Sequence, residues 1–176
     1  TLLAKHGCVC TMQRTRSLTE SYLRQENTIV VVVVPANTTR VRDSQAMQLV
    51  QQYKKEDVAI GVLAKADLAY DPRYAQRKKQ SPRWELEERL QGQANDLPDL
   101  HNGYVAVKNR DSLVEEEEAG SLIQSTQAEA EWFANETRLT LEQSGITALV
   151  SKINEQIESY VKQPGGWKAQ AMAHIK

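Results

Sequence analysis

The stretch T-I-V-V-V-V-V-P-A-N, residues 28–37, limits the possible folds more than any other part of the chain. Six consecutive β-branched residues, Ile29 and Val30 to Val34, are stiff at χ1 and favour extended backbone. The run shows no polar alternation, so it reads as a strand buried on both faces, as in the centre of a parallel sheet. Pro35 ends it. A second short apolar segment, residues 58–63 with Gly61 inside, is separated from the first by an amphipathic stretch at 44–53 with apolar Ala46, Met47, Leu49 and Val50. Strand, helix and strand in succession predict a βαβ unit with a right-handed crossover.

Further elements follow the same logic. Leu18, Tyr22 and Leu23 predict a helix over 17–25 that Ser17 or Thr19 could cap. Residues 84–90 read as a short helix and G-Y-V-A-V, 103–107, as a third strand. Residues 126–136 read as a helix anchored by Ala128, Trp132 and Phe133. Ile146, Leu149, Val150, Ile153, Ile157 and Tyr160 recur at helical spacing, predicting a long amphipathic helix over 145–162 that Pro164-Gly165-Gly166 stops. The expected fold class is α/β, with about three parallel strands and flanking helices. Typical sheets have roughly five or six strands, so this one reads as part of a larger sheet with an edge that another protein chain would cover. The expected organisation is an irregular N-terminal segment at 1–16, a body at 17–163 and a C-terminal tail at 164–176.

Composition excludes several classes. A formal net charge of −1 gives no global basic field, so nucleic acid is not an expected partner. No apolar run is long enough to cross a bilayer and no secretory signal is recognisable, which gives an intracellular expectation. The two cysteines, Cys8 and Cys10, are too few for a disulfide scaffold. His6, Cys8 and Cys10 form a conceivable metal clip, but reduced thiols in a poorly ordered N-terminus are the simpler reading, and no metal site is expected. The basic segment at 76–84 (Q-R-K-K-Q-S-P-R-W) reads as a solvated loop rather than a lipid or phosphate patch, and the acidic run Glu115 to Glu118 as a solvated face. Trp167, Met172 and Ile175 could dock the tail on a partner, with a frayed end the equal alternative. G-x-S-x-G and H-E-x-x-H are both absent, so no other enzyme class is indicated.

Open α/β sheets bind ligands at the carboxyl ends of their strands. Three such ends are visible: Pro35-Ala36-Asn37, Ala64-Lys65-Ala66-Asp67 and Lys108-Asn109-Arg110. One ionised carboxylate offers two acceptors. It can therefore take both the ring N–H and the exocyclic amine of guanine, a donor pair that adenine lacks. A lysine stem can lie along the base, and an asparagine can serve its other edge. On its own K-x-D is a weak motif, and a solvated turn explains it equally well.

Six stretches in order make the motif more specific. Residues 22–37 end in P-A-N. Residues 43–53 carry Ser44 and Ala46 in an S-x-A pattern, and residues 60–68 read I-G-V-L-A-K-A-D-L. L-Q-G-Q…N-G-Y-V-A-V-K-N-R spans 90–110, E-A-E-W-F-A-N-E spans 129–136, and the helix at 145–161 begins G-I-T-A-L-V-S-K-I-N. Together they resemble the second half of the dynamin-family GTPase domain. The resemblance implies a partial P-loop GTPase-like sheet in which Lys65 and Asp67 contact guanine. It also implies that Leu68 packs beneath the pocket and that Asn109 and Arg110 form a second base- and ribose-contacting loop. The implied ligand is GTP or GDP, and membrane association comes with the family. Ala64 stands where the family has Thr, losing a hydroxyl whose bond is worth on the order of 1 kcal/mol.

The sequence contains no G-x-x-x-x-G-K-[ST], and no D-x-P-G precedes Tyr22. Phosphoryl transfer needs such parts to position phosphate, metal and water. The expectation is an incomplete or degenerate domain that cannot hydrolyse GTP alone and binds nucleotide weakly or not at all. The alternative is a non-catalytic structural subunit of a larger assembly that binds no nucleotide.

Overall fold

The computed structural model describes residues 2–70, 82–109 and 122–162, with side chains described at 11–69, 86–109 and 122–162. The architecture is α/β: one three-stranded parallel sheet flanked by helices. The strands are β1 (Val30–Pro35), β2 (Ala59–Ala64) and β3 (Tyr104–Ala106), in spatial order β1-β2-β3. The helices are α1 (Leu2–Leu23), α2 (Gln45–Gln52), α3 (Pro82–Leu90), α4 (Leu122–Glu136) and α5 (Gly145–Lys162). Short 3₁₀ turns follow β1 at Val41–Asp43 and β2 at Ala66–Tyr70.

The central strand is β2, not β1. All six β2 residues are buried, and its register runs Val30↔Ala59 to Pro35↔Ala64 on one side and Gly61↔Tyr104 to Leu63↔Ala106 on the other. The expectation that the valine run is central is therefore corrected. β1 is an edge strand whose burial alternates: Val32 and Val34 are 4% and 3% exposed, Val31 and Val33 40% and 57%. Valine suits either position because β preference reports fit to a pleated surface, not which faces are covered. The Val30 N–H donates to the Val58 carbonyl and the Ala36 N–H to the Ala64 carbonyl. Even-numbered residues therefore pair inward, and the N–H groups of Val31 and Val33 point away from the sheet. Pro35 continues the outward series and has no N–H, which shortens the exposed ladder. The opposite edge is protected: Ala106 bridges Ser144 in parallel, and the Ala106 N–H donates to the Gln143 carbonyl.

The main core gathers Val32 and Val34 of β1, Leu63 of β2 and Ala106 of β3 with Met47 and Val50 of α2, Leu86 of α3 and Phe133 of α4. Ser44 caps α2, its hydroxyl accepting the Met47 N–H at 3.3 Å, so Met47 and Val50 turn inward one helical step apart. Gly61 is required by packing. The Tyr104 ring lies directly opposite, where a Cβ would stand. The Tyr104 hydroxyl donates to the Pro98 carbonyl at 2.6 Å.

Helix α5 packs against β2 and β3, and its last turn is tied down by Tyr160, whose hydroxyl donates to the Glu26 carbonyl at 3.1 Å ahead of β1. Its extent is as expected, but its apolar stripe is only partly covered. Ala148 and Tyr160 are buried, whereas Ile146 and Val150 are 40% and 49% exposed. The N-terminal expectation is overturned. Residues 2–16 are not irregular but continuous with the helix expected at 17–25. Ser17 and Thr19, read as caps, lie inside this helix, and the Thr19 hydroxyl donates back to the Thr15 carbonyl. Along α1, Leu23 is buried while Met12, Leu18 and Tyr22 are more than half exposed. The segments at 76–81 and 110–121, and the tail at 164–176, lie outside the described residues; the side chains of His6, Cys8, Cys10 and Trp84 lie outside as well.

Two measurements check this arrangement. Val32→Ala costs about 2 kcal/mol in urea unfolding and Val33→Ala stays within about 0.5 kcal/mol, because only the first loses buried methyl groups. Equal losses would return β1 to a central position. Burial, reinforced by the nearby Asp96 and Asp99 carboxylates, pushes the Tyr104 phenol above its ordinary value of 10.0, with Arg42 opposing. The folded chain then holds this proton more tightly than the unfolded chain does. Stability from this group is full below pH 10.0 and falls as pH rises beyond it. Tyr104→Phe removes that part of the alkaline slope in unfolding midpoints measured across the range.

Candidate functional site

The three strand-end loops lie side by side at the carboxyl edge of the sheet and are stitched to one another through the backbone. The Ala36 N–H donates to the Ala64 carbonyl at 2.6 Å, which joins the β1 loop to the β2 loop. The Ala66 N–H donates to the Val107 carbonyl and the Val107 N–H to the Leu63 carbonyl, both at 3.0 Å, which joins the β2 loop to the β3 loop. Lys65, Asp67 and Asn109 are thereby held on two adjacent loops.

Lys65 adopts a left-handed backbone, φ +57°, uncommon for a side chain of this size. The reversal turns the chain straight from β2 into the 3₁₀ turn, where the Leu68 N–H donates to the Lys65 carbonyl at 3.0 Å. A 3₁₀ turn repeats every three residues, so Ala66 and Ala69 share its inner side, at 0% and 5% exposure. Asp67 and Leu68 are carried outward. Leu68, expected beneath the pocket, is instead 36% exposed, and the two alanines do the packing. Lys65 and Asn109 are exposed and Asp67 is half-buried. Among the described residues none donates to the Asp67 carboxylate, and the Lys65 ammonium and Asn109 side chain likewise have no protein partner. Arg110 lies outside the described residues.

Two buried charges fix the outer loops, and neither was expected from the sequence. Arg89, on α3 and 6% exposed, donates to the Ala36 and Thr38 carbonyls at 2.9 Å and to the Thr39 carbonyl at 3.3 Å. Its Nε sits 2.8 Å from Asp96 Oδ2. One planar fork therefore pins the whole turn after β1. Asp96 Oδ1 is buried with no hydrogen-bond partner, so the aspartate is committed to Arg89 through one oxygen. Glu129, on α4 and 6% exposed, accepts the Lys108 N–H at 2.7 Å through Oε1 and the Ile146 N–H at 2.8 Å through Oε2. The expected anchor Ala128 is exposed, whereas Phe133 is buried and meets the half-buried Trp132 edge to face at 5.0 Å. The i, i+3 and i, i+4 spacing of Leu86, Arg89 and Leu90 and of Glu129, Trp132 and Phe133 was the available signal that these charges lie on buried faces.

A cleft of about 400 Å³ lies at the opposite end of the sheet, between the residues leading into β2 and β3 and the last turns of α5. Its lining includes Asp57, His101, Asn102, Glu155, Gln156 and Tyr160. Asn102 donates to the Asp57 and Ala59 carbonyls, and Gln156 to that of Asp57, so these amides are occupied in joining β2, β3 and α5. The Asp57 carboxylate and the His101 ring in the cleft have no described partner, as is true of Lys65, Asp67 and Asn109 at the carboxyl edge, where open α/β sheets bind ligands. Among the described residues no group of three or more His, Cys, Asp or Glu could hold a metal ion. No helix there is long and apolar enough to cross a membrane. Compared with known proteins, the chain matches no family model and no curated protein.

Arg89→Met lowers stability by about 3–5 kcal/mol in denaturant unfolding, because it strands the Asp96 carboxylate and removes the donor to the buried Ala36 carbonyl and to two part-buried ones. Asp96→Asn in the same background recovers part of the loss by removing the stranded charge; no recovery would mean that the ion pair is not the dominant contribution.

Proposed function

We propose that this chain provides the guanine-recognising part of a dynamin-like GTPase domain and does not hydrolyse GTP by itself. The observation that carries the reading is the unpaired set Lys65, Asp67 and Asn109 on two loops locked together at the carboxyl edge of a parallel sheet. The set suits a guanine base. The half-buried Asp67 carboxylate has both oxygens free for two neighbouring N–H donors, the Lys65 stem offers an apolar rest for the ring, and Asn109 has a donor and an acceptor for the far edge. GTP or GDP held by these residues alone would be bound by its base, with no phosphate loop in this sequence to add affinity. Arg110 follows Asn109 in the same motif and belongs to the ribose side of the proposed contact. Among the described residues no strand pairs with the outer edge of β1, where Val31 and Val33 are exposed, and this supports completion of the sheet by a further chain or segment.

That same edge also favours a second reading: a structural subunit that uses the fold for assembly and binds no nucleotide. Ala64, which lacks the family's hydroxyl, is compatible with that loss.

The isolated chain shows no GTP turnover above background; magnesium-dependent turnover abolished by Asp67→Ala overturns this. Guanosine at millimolar concentration perturbs the backbone amides of residues 65–68 and 107–109 in NMR titration, adenosine does not, and Asp67→Ala removes the difference. Identical responses to the two nucleosides refute base recognition, and a sub-micromolar GDP dissociation constant refutes the weak, base-only mode. The mass and nucleotide content of the native particle separate the two readings: a defined multi-protein complex free of guanine nucleotide supports the subunit.

A further inference from the structure

We infer that Glu129 is a positioning residue that makes the placement of the Lys108–Asn109 loop depend on the docking of α5. The carboxylate is buried, yet among the described residues it faces no cation. Its two oxygens are divided between two backbone N–H groups on separate elements, Lys108 directly ahead of Asn109 and Ile146 in the first turn of α5. The second contact explains how this charge is tolerated. A helix N-terminus carries unpaired N–H groups and a partial positive charge, and a carboxylate there is stabilised. The flanking Ser144 hydroxyl donates to the Thr140 carbonyl at 2.8 Å, and no N–H of α5 is described as donating to it. Glu129 therefore caps α5 from a neighbouring helix. Gly145, φ +87°, turns the chain so that the Ile146 N–H meets the carboxylate, and the Glu129 Oε2 lies only 3.6 Å from where a Cβ on Gly145 would be.

The first contact carries the consequence to the candidate site. Lys108 lies beyond the last residue of β3, and the loop is tied back by three described bonds: the Val107 N–H to the Leu63 carbonyl, the Ala66 N–H to the Val107 carbonyl, and the Lys108 N–H to Glu129. Without the last, Asn109 follows a chain end held only at Val107. An ionised carboxylate is acceptor-only and satisfies both donors. A glutamine of the same shape turns an N–H₂ toward one of them and can keep only the other. Charge, not size, is what the position requires.

Hydrogen exchange on the full chain tests the coupling directly, with no ligand. In Glu129→Ala the Lys108 and Ile146 amides lose protection together, each by at least about tenfold, the loss expected for a bond to a charged acceptor, while Leu63 in β2 keeps its protection. Glu129→Gln frees one of the two. Glu129→Asp, which keeps the charge with one methylene less reach, is the second arm if the alanine variant does not fold, and it also fails to hold both amides. Unchanged protection of Lys108 in the alanine or aspartate variant, or loss at Ile146 alone in either, overturns the coupling. The link to function rests on the base-recognition reading and has its own readout. In the wild-type chain the Asn109 side-chain amide responds to guanosine and not to adenosine. Glu129→Gln weakens that selectivity while the unfolding midpoint of the sheet changes little, and full selectivity in the variant overturns the positioning role. Absence of selectivity in the wild type refutes the base-recognition reading and leaves the exchange result standing.

Discussion

Burying β2 on both faces removes its peptide groups from water, so each must be paired by a neighbouring strand. That requirement brings β1 and β3 alongside it in parallel and fixes both registers. Parallel neighbours end on the same side, so the loops after all three strands emerge together. The bonds from Ala36 to Ala64 and from Ala66 to Val107 continue the sheet's pairing past its last residues. The candidate site is thus a consequence of completing β2, and its loops lie where the strands' hydrogen-bonding pattern delivers them.

The helices finish the work with charge as well as with apolar surface. Arg89 gathers three carbonyls of the β1 loop, and Glu129 takes an N–H from the β3 loop and another from α5. Buried ions are costly unless their hydrogen-bonding capacity is used. Here the cost is offset by backbone groups that would otherwise be stranded at the ends of strands and helices. Arg89 and Glu129 thus place the loops, while among the described residues Lys65, Asp67 and Asn109 have no protein partner. At the other limit of the sheet, no strand among the described residues pairs with the outer side of β1.

How much of this could be read in advance differs from element to element. The α/β class, the strands at 58–63 and 103–107 and the extents of α2 and α5 follow from apolar spacing, Ser44 and the flanking glycines. The strand-end position of K-x-D follows from the same pattern. Three readings went astray for identifiable reasons. The valine run is uniform, and uniform sequence says nothing about which face is covered. In α1 the helix runs on through Ser17 and Thr19, with Thr15 and Thr19 bonding back to carbonyls of the preceding turn, so a cap signal marked no boundary. Leu68 is apolar yet outward because a 3₁₀ turn, not an α-helix or a strand, follows Lys65.

The sequence by itself determined the local choices: β-branched runs that can only be extended, amphipathic spacing that can only be helical, and a short list of polar residues at strand ends. Those choices depend on sterics and on the chemistry of neighbouring side chains, which act over a few residues. Tertiary structure alone decided that β2 and not β1 is central, that Ala66 and Ala69 rather than Leu68 line the turn, and that Arg89 and Glu129 are buried. These outcomes depend on which backbone groups distant in the chain are left to be paired. Glu129 is the plainest instance. Its spacing puts it on one helix face with Trp132 and Phe133, unlike the exposed Glu131, but only the meeting of the β3 loop with the first turn of α5 supplies the two N–H groups that satisfy its carboxylate inside.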